Sequence, residues 1–277
     1  MVYRILLVVV LAFSFCSCDI DKYLFNTQTL DTYNISNGVI PDSARKFVSF
    51  QSRGKNLYGF FVKSNREFDW VENYTILYFH GNKHNITEYW DRVEFLYNAG
   101  FSVFIFDYEG FGKSEGQCSE EALYADARAA RYYLNSIQGV DTSKIMYYGY
   151  SLGCAAAIDL AVQYPPKSMV VESPFASGEA LVQSGTLLDI PGSFLLKGDF
   201  DNKGKIGKVH VPVAILHGID DKFIDIEKNA AIVYANANNP KLFVRIPGAD
   251  HTNVPQKMGL TEYMDFVRYM SQWWVGI

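Results

Sequence analysis

The run "KIMYYGYSLGCAAAIDLAVQY", residues 144–164, is where the reading of the chain turns. Its first part is apolar and aromatic, as a buried strand is, and its second part is an alanine-rich helix. Between them Gly149-Tyr150-Ser151-Leu152-Gly153 forms a G-x-S-x-G turn. A turn that sharp needs glycine on both sides, because a side chain at either position meets neighbouring backbone. It pushes the Ser151 hydroxyl out over the sheet, with the N–H groups of the helix start aimed at the same spot. The pentapeptide alone serves equally well as a tight turn without chemistry, so its surroundings have to decide.

Outward from this run, strand-like and helix-like segments alternate. "KFVSF" (46–50) and "NLYGFFVK" (56–63) bracket "QSRGK", the pattern of an antiparallel hairpin. "YTILYFH" (74–80) and "FSVFIFD" (101–107) read as buried strands, separated by the helical "TEYWDRVEFLYNAG" (87–100) with its terminal glycine. In "SEEALYADARAARYYLNSI" (119–137) Leu123, Ala127, Ala130 and Leu134 share a helical face, and Ser119 with the acids after it forms a start signal. "SMVVES", "VPVAILHG", "KNAAIVYANA" and "KLFVRI" continue the alternation to a last helix, "LTEYMDFVRYMSQWW", whose apolar stripe is read as core. Repeated strand–helix units imply an α/β fold: a mostly parallel central sheet with helices on both faces and sites at the carboxyl ends of the strands. A short insertion, 176–210, separates two of the strands and is expected to form a small cap. Its apolar residues from Leu181 to Leu196 either line an acyl pocket or hold the cap to the body.

Serine is a weak nucleophile without a base, and the base needs an orienting carboxylate. Of the five histidines, His251 in "IPGADHTN" follows a strand and precedes the last helix, where it can reach back over the sheet. The carboxylate is expected after the preceding strand, where "ILHGIDDKF" offers both Asp220 and Asp221; chain order alone does not separate them. The order Ser, Asp, His is that of one hydrolase architecture and differs from the chymotrypsin and subtilisin orders. An oxyanion hole needs two N–H donors. Leu152 supplies one, directly after Ser151, and the backbone of Asn82, in the His80-Gly81-Asn82-Lys83 loop, the other. His80 precedes Ser151 and sits in the glycine turn, so a structural role is expected for it.

From "LYFHGN", "FDYEGFGKSEG", "GYSLG", "SPF", "DFDN", "LHGIDD" and "DHTN", over residues 45–277, the chain resembles an α/β-hydrolase, closest to the Bem46-like group that overlaps the serine-aminopeptidase-like hydrolases. The resemblance places the acid at the last position of an H-G-x-x-D string, which here selects Asp221. It implies acyl transfer by Ser151, His251 and Asp221 on a carboxylic ester or thioester, a small molecule or acyl-lipid, without a cofactor. A peptidase is the enzyme alternative, and a non-catalytic binding protein on the same scaffold the other.

Composition bounds the rest. The 277 residues are 49% apolar and 20% charged with net charge −5, which suits one large core and gives no footprint for nucleic acid. "FDYEGFGKSEG" imitates a phosphate loop, but the required first glycine is Asp107 and the helix begins too late. His80 and His84 lack companions at metal-ligand spacing, so no metal is expected. Cys118 and Cys154 are expected as thiols, Cys154 as a buried small apolar residue. The first residues, "MVYRILLVVVLAFSFCSCDI", carry a basic start and an apolar stretch ending in small residues and cysteines, which reads as a secretory signal over 1–17. "FCSC" resembles a bacterial lipobox and makes Cys18 the expected lipid attachment site of an exported protein held on a membrane surface. Residues 18–45 are then a tether, and 46–277 the hydrolase-like domain.

Overall fold

The computed structural model describes residues 25–35, 38–65, 73–185 and 198–273. Within them an eight-stranded sheet forms from β1 (Arg45–Ser52), β2 (Lys55–Val62), β3 (Thr75–Phe79), β4 (Ser102–Phe106), β5 (Ile145–Tyr150), β6 (Met169–Glu172), β7 (Val213–Gly218) and β8 (Lys241–Ile246). Its spatial order is β8-β7-β6-β5-β3-β4-β2-β1. Only the β1–β2 and β2–β4 pairs are antiparallel; the strands from β4 to β8 run parallel to their neighbours. The first hairpin closes more tightly than its sequence pattern suggests. Ser52 pairs with Lys55, so Arg53 and Gly54 alone make the turn, both at positive φ, as a two-residue hairpin loop requires.

Strand residues alternate between two cores. Leu77 and Phe79 of β3, with Ile145 and Tyr147 of β5, join one core under α2 (Glu120–Ser136), α3 (Leu152–Gln163) and α6 (Ala230–Asn236). Ile76, Tyr78, Met146 and Tyr148 join the other, under α1 (Trp90–Asn98) and α8 (Leu260–Gln272). The strict alternation follows from the period of two along a strand, and the lack of polar positions from a sheet covered on both faces. Helix α2 begins where the sequence places it: Ser119 accepts a hydrogen bond from the Ala122 N–H, and Glu120 and Glu121 fill the first turn. The stripe on α8 is core, as expected, with Tyr263, Val267 and Met270 buried; Trp274 lies outside the described residues.

One feature departs from the sequence reading. Part of the expected tether is docked: residues 25–35 lie along the body, Asn26–Thr27 pairing in parallel with Lys83–His84 and Thr29 bridging to Gly112. The insertion contributes α4 (Gly178–Gly185) and α5 (Asn202–Ile206). The part of its apolar run that falls in 186–197 lies outside the described residues, as does Cys18. Four short elements complete the order, the 3₁₀ turns Asp42–Ala44, Ile86–Tyr89 and Thr142–Lys144 and, ahead of α8, α7 (Val254–Met258).

Candidate active site

Ser151 sits between β5 and α3 with φ 51° and ψ −114°, a left-handed conformation that a serine adopts only when its surroundings impose it. The surroundings are crowded on both sides. A Cβ on Gly149 would lie 2.7 Å from the Gly153 carbonyl oxygen, and one on Gly153 would lie 2.0 Å from that of Phe79. The Ser151 N–H donates to the Glu172 carbonyl at 2.9 Å, fixing the turn to the next strand. Ser151 is buried except for a 7% opening.

His251 and Asp221 converge on it. His251 Nε2 lies 3.0 Å from Ser151 Oγ, and Nδ1 lies 2.8 Å from Asp221 Oδ2. The β7 and β8 loops that carry them touch: a Cβ on Gly218 would lie 2.3 Å from the Ala249 carbonyl oxygen, and the Asp220 N–H donates to that oxygen at 2.9 Å. Asp221 is buried and Asp220 exposed. The Phe223 and Ile224 N–H groups donate to Asp221 Oδ1 at 2.9 and 2.8 Å, and His217 Nε2 lies 3.1 Å from Oδ2. Because His217 Nε2 also lies 2.8 Å from the Ile224 carbonyl oxygen, that nitrogen carries the proton and donates to both. Burial alone would raise the Asp221 carboxyl; hydrogen bonds from His217 and His251 outweigh it and hold the group well below the usual carboxylate range. Asp221 is therefore ionised at neutral pH, fit to orient an imidazole and to stabilise its protonated form.

The remaining expected residues take their places around this line. Leu152 opens α3, where helix N–H groups lack intrahelical partners, and Asn82 lies in the β3 loop; both border the same small recess as Ser151. His80 is fully buried, stacked on Tyr108 with ring centroids 4.2 Å apart, its Nδ1 2.7 Å from the Gly81 carbonyl oxygen and its Nε2 3.3 Å from Asp107 Oδ1. The mimic of a phosphate loop is a structural turn: Ser114 Oγ donates to the Asp107 carbonyl at 2.7 Å, and Asp107 Oδ1 accepts from the Ile86 N–H at 2.9 Å. Cys154 is buried, its thiol 3.2 Å from the Glu172 carbonyl oxygen.

The sequence reading missed a buried network under the His251 loop. Arg92 on α1 donates from Nη2 to Glu172 Oε1 at 3.0 Å and to the Thr252 carbonyl at 2.9 Å, and its guanidinium lies 4.3 Å from the centroid of the Tyr150 ring. Tyr150 donates its hydroxyl to the His251 carbonyl at 3.0 Å, and Tyr148 donates to Glu172 Oε2 at 2.5 Å. Burial works against the Arg92 charge, but Glu172, Tyr78, Tyr150 and Asp91 around it together outweigh that cost and raise its pKa. The only trace in the sequence is a glutamate closing the apolar strand "MVVE", which has to find a partner once buried. Over Ser151 and His251 opens a space of about 490 Å³ bordered also by Lys83, Glu88, Asp91, Arg92, Tyr150 and Phe223. Among the described residues no three His, Cys, Asp or Glu side chains are arranged to hold a metal ion.

Residues 72–190 match the family model described as serine aminopeptidase, S33. Alpha/beta hydrolase domain-containing protein 17B of Xenopus tropicalis is 30% identical over 217 residues, covering 77% of this chain and 71% of that protein. An uncharacterized protein of Mycobacterium tuberculosis is 38% identical over 175 residues, covering 62% of this chain; the match spans 60% of the mycobacterial protein's length. Among solved structures, a Pyrococcus furiosus esterase superposes with TM-score 0.73 at 18% identity, covering 91% of this chain and 98% of the esterase.

Proposed function

The chain belongs to the α/β-hydrolase superfamily, and we propose that it is a serine hydrolase cleaving carboxylic esters or thioesters through an acyl-enzyme. The observation that carries this reading is the unbroken line from Asp221 Oδ2 through His251 to Ser151 Oγ, with links of 2.8 and 3.0 Å. Ser151 Oγ bonds to the substrate carbonyl carbon while its proton passes to His251 Nε2. The carbon–oxygen (or carbon–sulfur) bond then breaks, and the leaving group departs with that proton. Water attacks the acyl-enzyme, gives a proton to His251, and Ser151 leaves with it as the free acid forms. Asp221 keeps the His251 proton on Nδ1 and offsets the imidazolium charge. The N–H groups of Leu152 and Asn82 receive the oxyanion; removing one such donor costs about 10²–10³ in kcat in related chemistry.

A p-nitrophenyl ester series assayed beside aminoacyl-p-nitroanilides tests the reaction class. Ester turnover is expected; a preference for the anilides would replace this reading with the peptidase one that the family model's description suggests. We also propose that Cys18 carries a lipid that holds the exported protein at a membrane surface. Intact-mass measurement should then find a diacylated N-terminal Cys18, and a mature terminus elsewhere without lipid would refute it.

A further inference from the structure

Two spaces meet at Ser151, and they differ in size and lining. The space of about 490 Å³ contains His251 and is rimmed by charged residues, among them Lys83, Asp91 and Arg92. Beside Ser151 lies a second recess of only about 40 Å³, walled by Phe25, Leu152, Phe175, Leu181, Phe200 and Phe223 and not bordered by His251. The proton that frees the leaving group comes from His251 Nε2, so the leaving group occupies the space that holds His251. The substituent on the carbonyl carbon is then left with the recess. With about 40 Å³ against about 490 Å³, the recess takes a much smaller group than the space beside it.

The outer wall of that recess is the docked N-terminal strap. Phe25 is 4% exposed and meets Phe200 with ring centroids 6.5 Å apart; Phe200 in turn meets Phe175 at 6.0 Å. The strap is held along its length by bonds to two loops of the body, those after β3 and β4. The Asn26 N–H donates to Asn82 Oδ1 at 3.0 Å, and the Gln28 N–H to the His84 carbonyl at 3.1 Å. Gly112 and Gln28 are joined by an N–H to carbonyl bond of 2.9 Å, and the Tyr33 hydroxyl donates to Asp107 Oδ2 at 2.5 Å. A phenylalanine buried against other rings at the end of a strap so fixed is a wall, and its size sets the depth behind it.

Resting on the serine-hydrolase reading, we propose that the substrates are esters whose acyl part is short and whose alcohol part is the larger, and that Phe25 sets this limit. The test compares the full chain with its Phe25→Ala and Phe25→Trp variants on p-nitrophenyl acetate, butyrate and octanoate, read as ratios of kcat/KM. Single methylenes in apolar pockets are worth about 10–200-fold, so the unmodified protein should favour butyrate over octanoate at least about tenfold. Phe25→Ala should narrow that ratio about tenfold, and Phe25→Trp should lower butyrate relative to acetate. Because the two variants shift the profile in opposite directions, a wall is distinguished from simple release of the strap, which would move both the same way. Unchanged ratios, a common direction of shift, or a preference of the unmodified protein for octanoate would overturn the proposal. No turnover of any ester by any of the three proteins would instead overturn the hydrolase reading, and the acyl limit with it.

Discussion

Replacing Asp221 by asparagine alters the site by one atom and one charge. The amide oxygen introduced there can still accept from the Phe223 and Ile224 N–H groups, as Asp221 Oδ1 does at 2.9 and 2.8 Å. That leaves the amide NH₂ where Oδ2 now stands, 2.8 Å from His251 Nδ1. Two donors cannot face each other, so the imidazole gives up its Nδ1 proton and carries it on Nε2 instead. Nε2 then donates to Ser151 Oγ where it should accept from it. A wrong tautomer of this kind costs about 10⁴ in kcat in the chymotrypsin-type triad, or about 5 kcal/mol of transition-state stabilisation. Asp220→Asn alters an exposed carboxylate beside the same loop and should stay within about threefold of the parent. The assay is kcat/KM on p-nitrophenyl butyrate for all three proteins, with thermal melts to confirm folding. Equal losses in the two variants, or a larger loss for Asp220→Asn, would refute the reasoning. Stability supplies a cross-check on sign. The Asp221 pKa is depressed in the folded protein, so its contribution is present above the ordinary carboxylate range and fades as pH falls. The destabilisation from Asp221→Asn should therefore shrink in acid.

Three further outcomes follow from the same structure. Gly153→Ala puts a Cβ 2.0 Å from the Phe79 carbonyl oxygen, a backbone atom with no room to retreat, so folded yield or activity should fall severely; a variant with parental activity and melting temperature would contradict this. Arg92→Met leaves Glu172, which is fully buried, without its counter-charge, at a cost of about 3–5 kcal/mol. The melting temperature should fall by roughly 6–20 °C, and kcat should fall too as the Thr252 carbonyl loses its donor. Burial pushes the Asp126 carboxyl up to about 7, against the hydrogen bond it accepts from the Glu109 N–H and the effect of the nearby Ser52 hydroxyl. A raised carboxyl pKa makes the folded state hold the extra proton, so the contribution of Asp126 is fully present below about pH 4 and is lost as pH rises through about 7. Asp126→Asn should flatten denaturant midpoints over that window and gain on the order of 2–4 kcal/mol at pH 8; an unchanged pH profile would refute it.

The parts of this molecule that were legible in its sequence are those where chemistry or period constrains residue type. Strands β3 to β7 show as apolar runs because both faces of the sheet are covered there, and the turn at Ser151 shows because only glycine fits at 149 and 153. Asp220 and Asp221 cannot be told apart by residue type or chain order; the H-G-x-x-D resemblance selects Asp221, and the fold adds the physical difference, a buried Asp221 beside an exposed Asp220. The strap was illegible for a different reason. It is held largely by backbone N–H and carbonyl groups, which every sequence has, so residues 25–35 look like any polar tether. The pairing of Arg92 with Glu172 joins residues eighty positions apart on a helix and a strand, and no local pattern announces it.

The central claim is that Ser151 is an activated nucleophile, and covalent labelling tests it most directly. The protein and its Ser151→Ala variant are treated with a fluorophosphonate and examined by intact mass and peptide mapping. One adduct on Ser151 of the unmodified protein, and none on the variant, is the expected result. A protein that stays unlabelled under conditions where a control serine hydrolase reacts, or a variant that labels as readily as its parent, would contradict it.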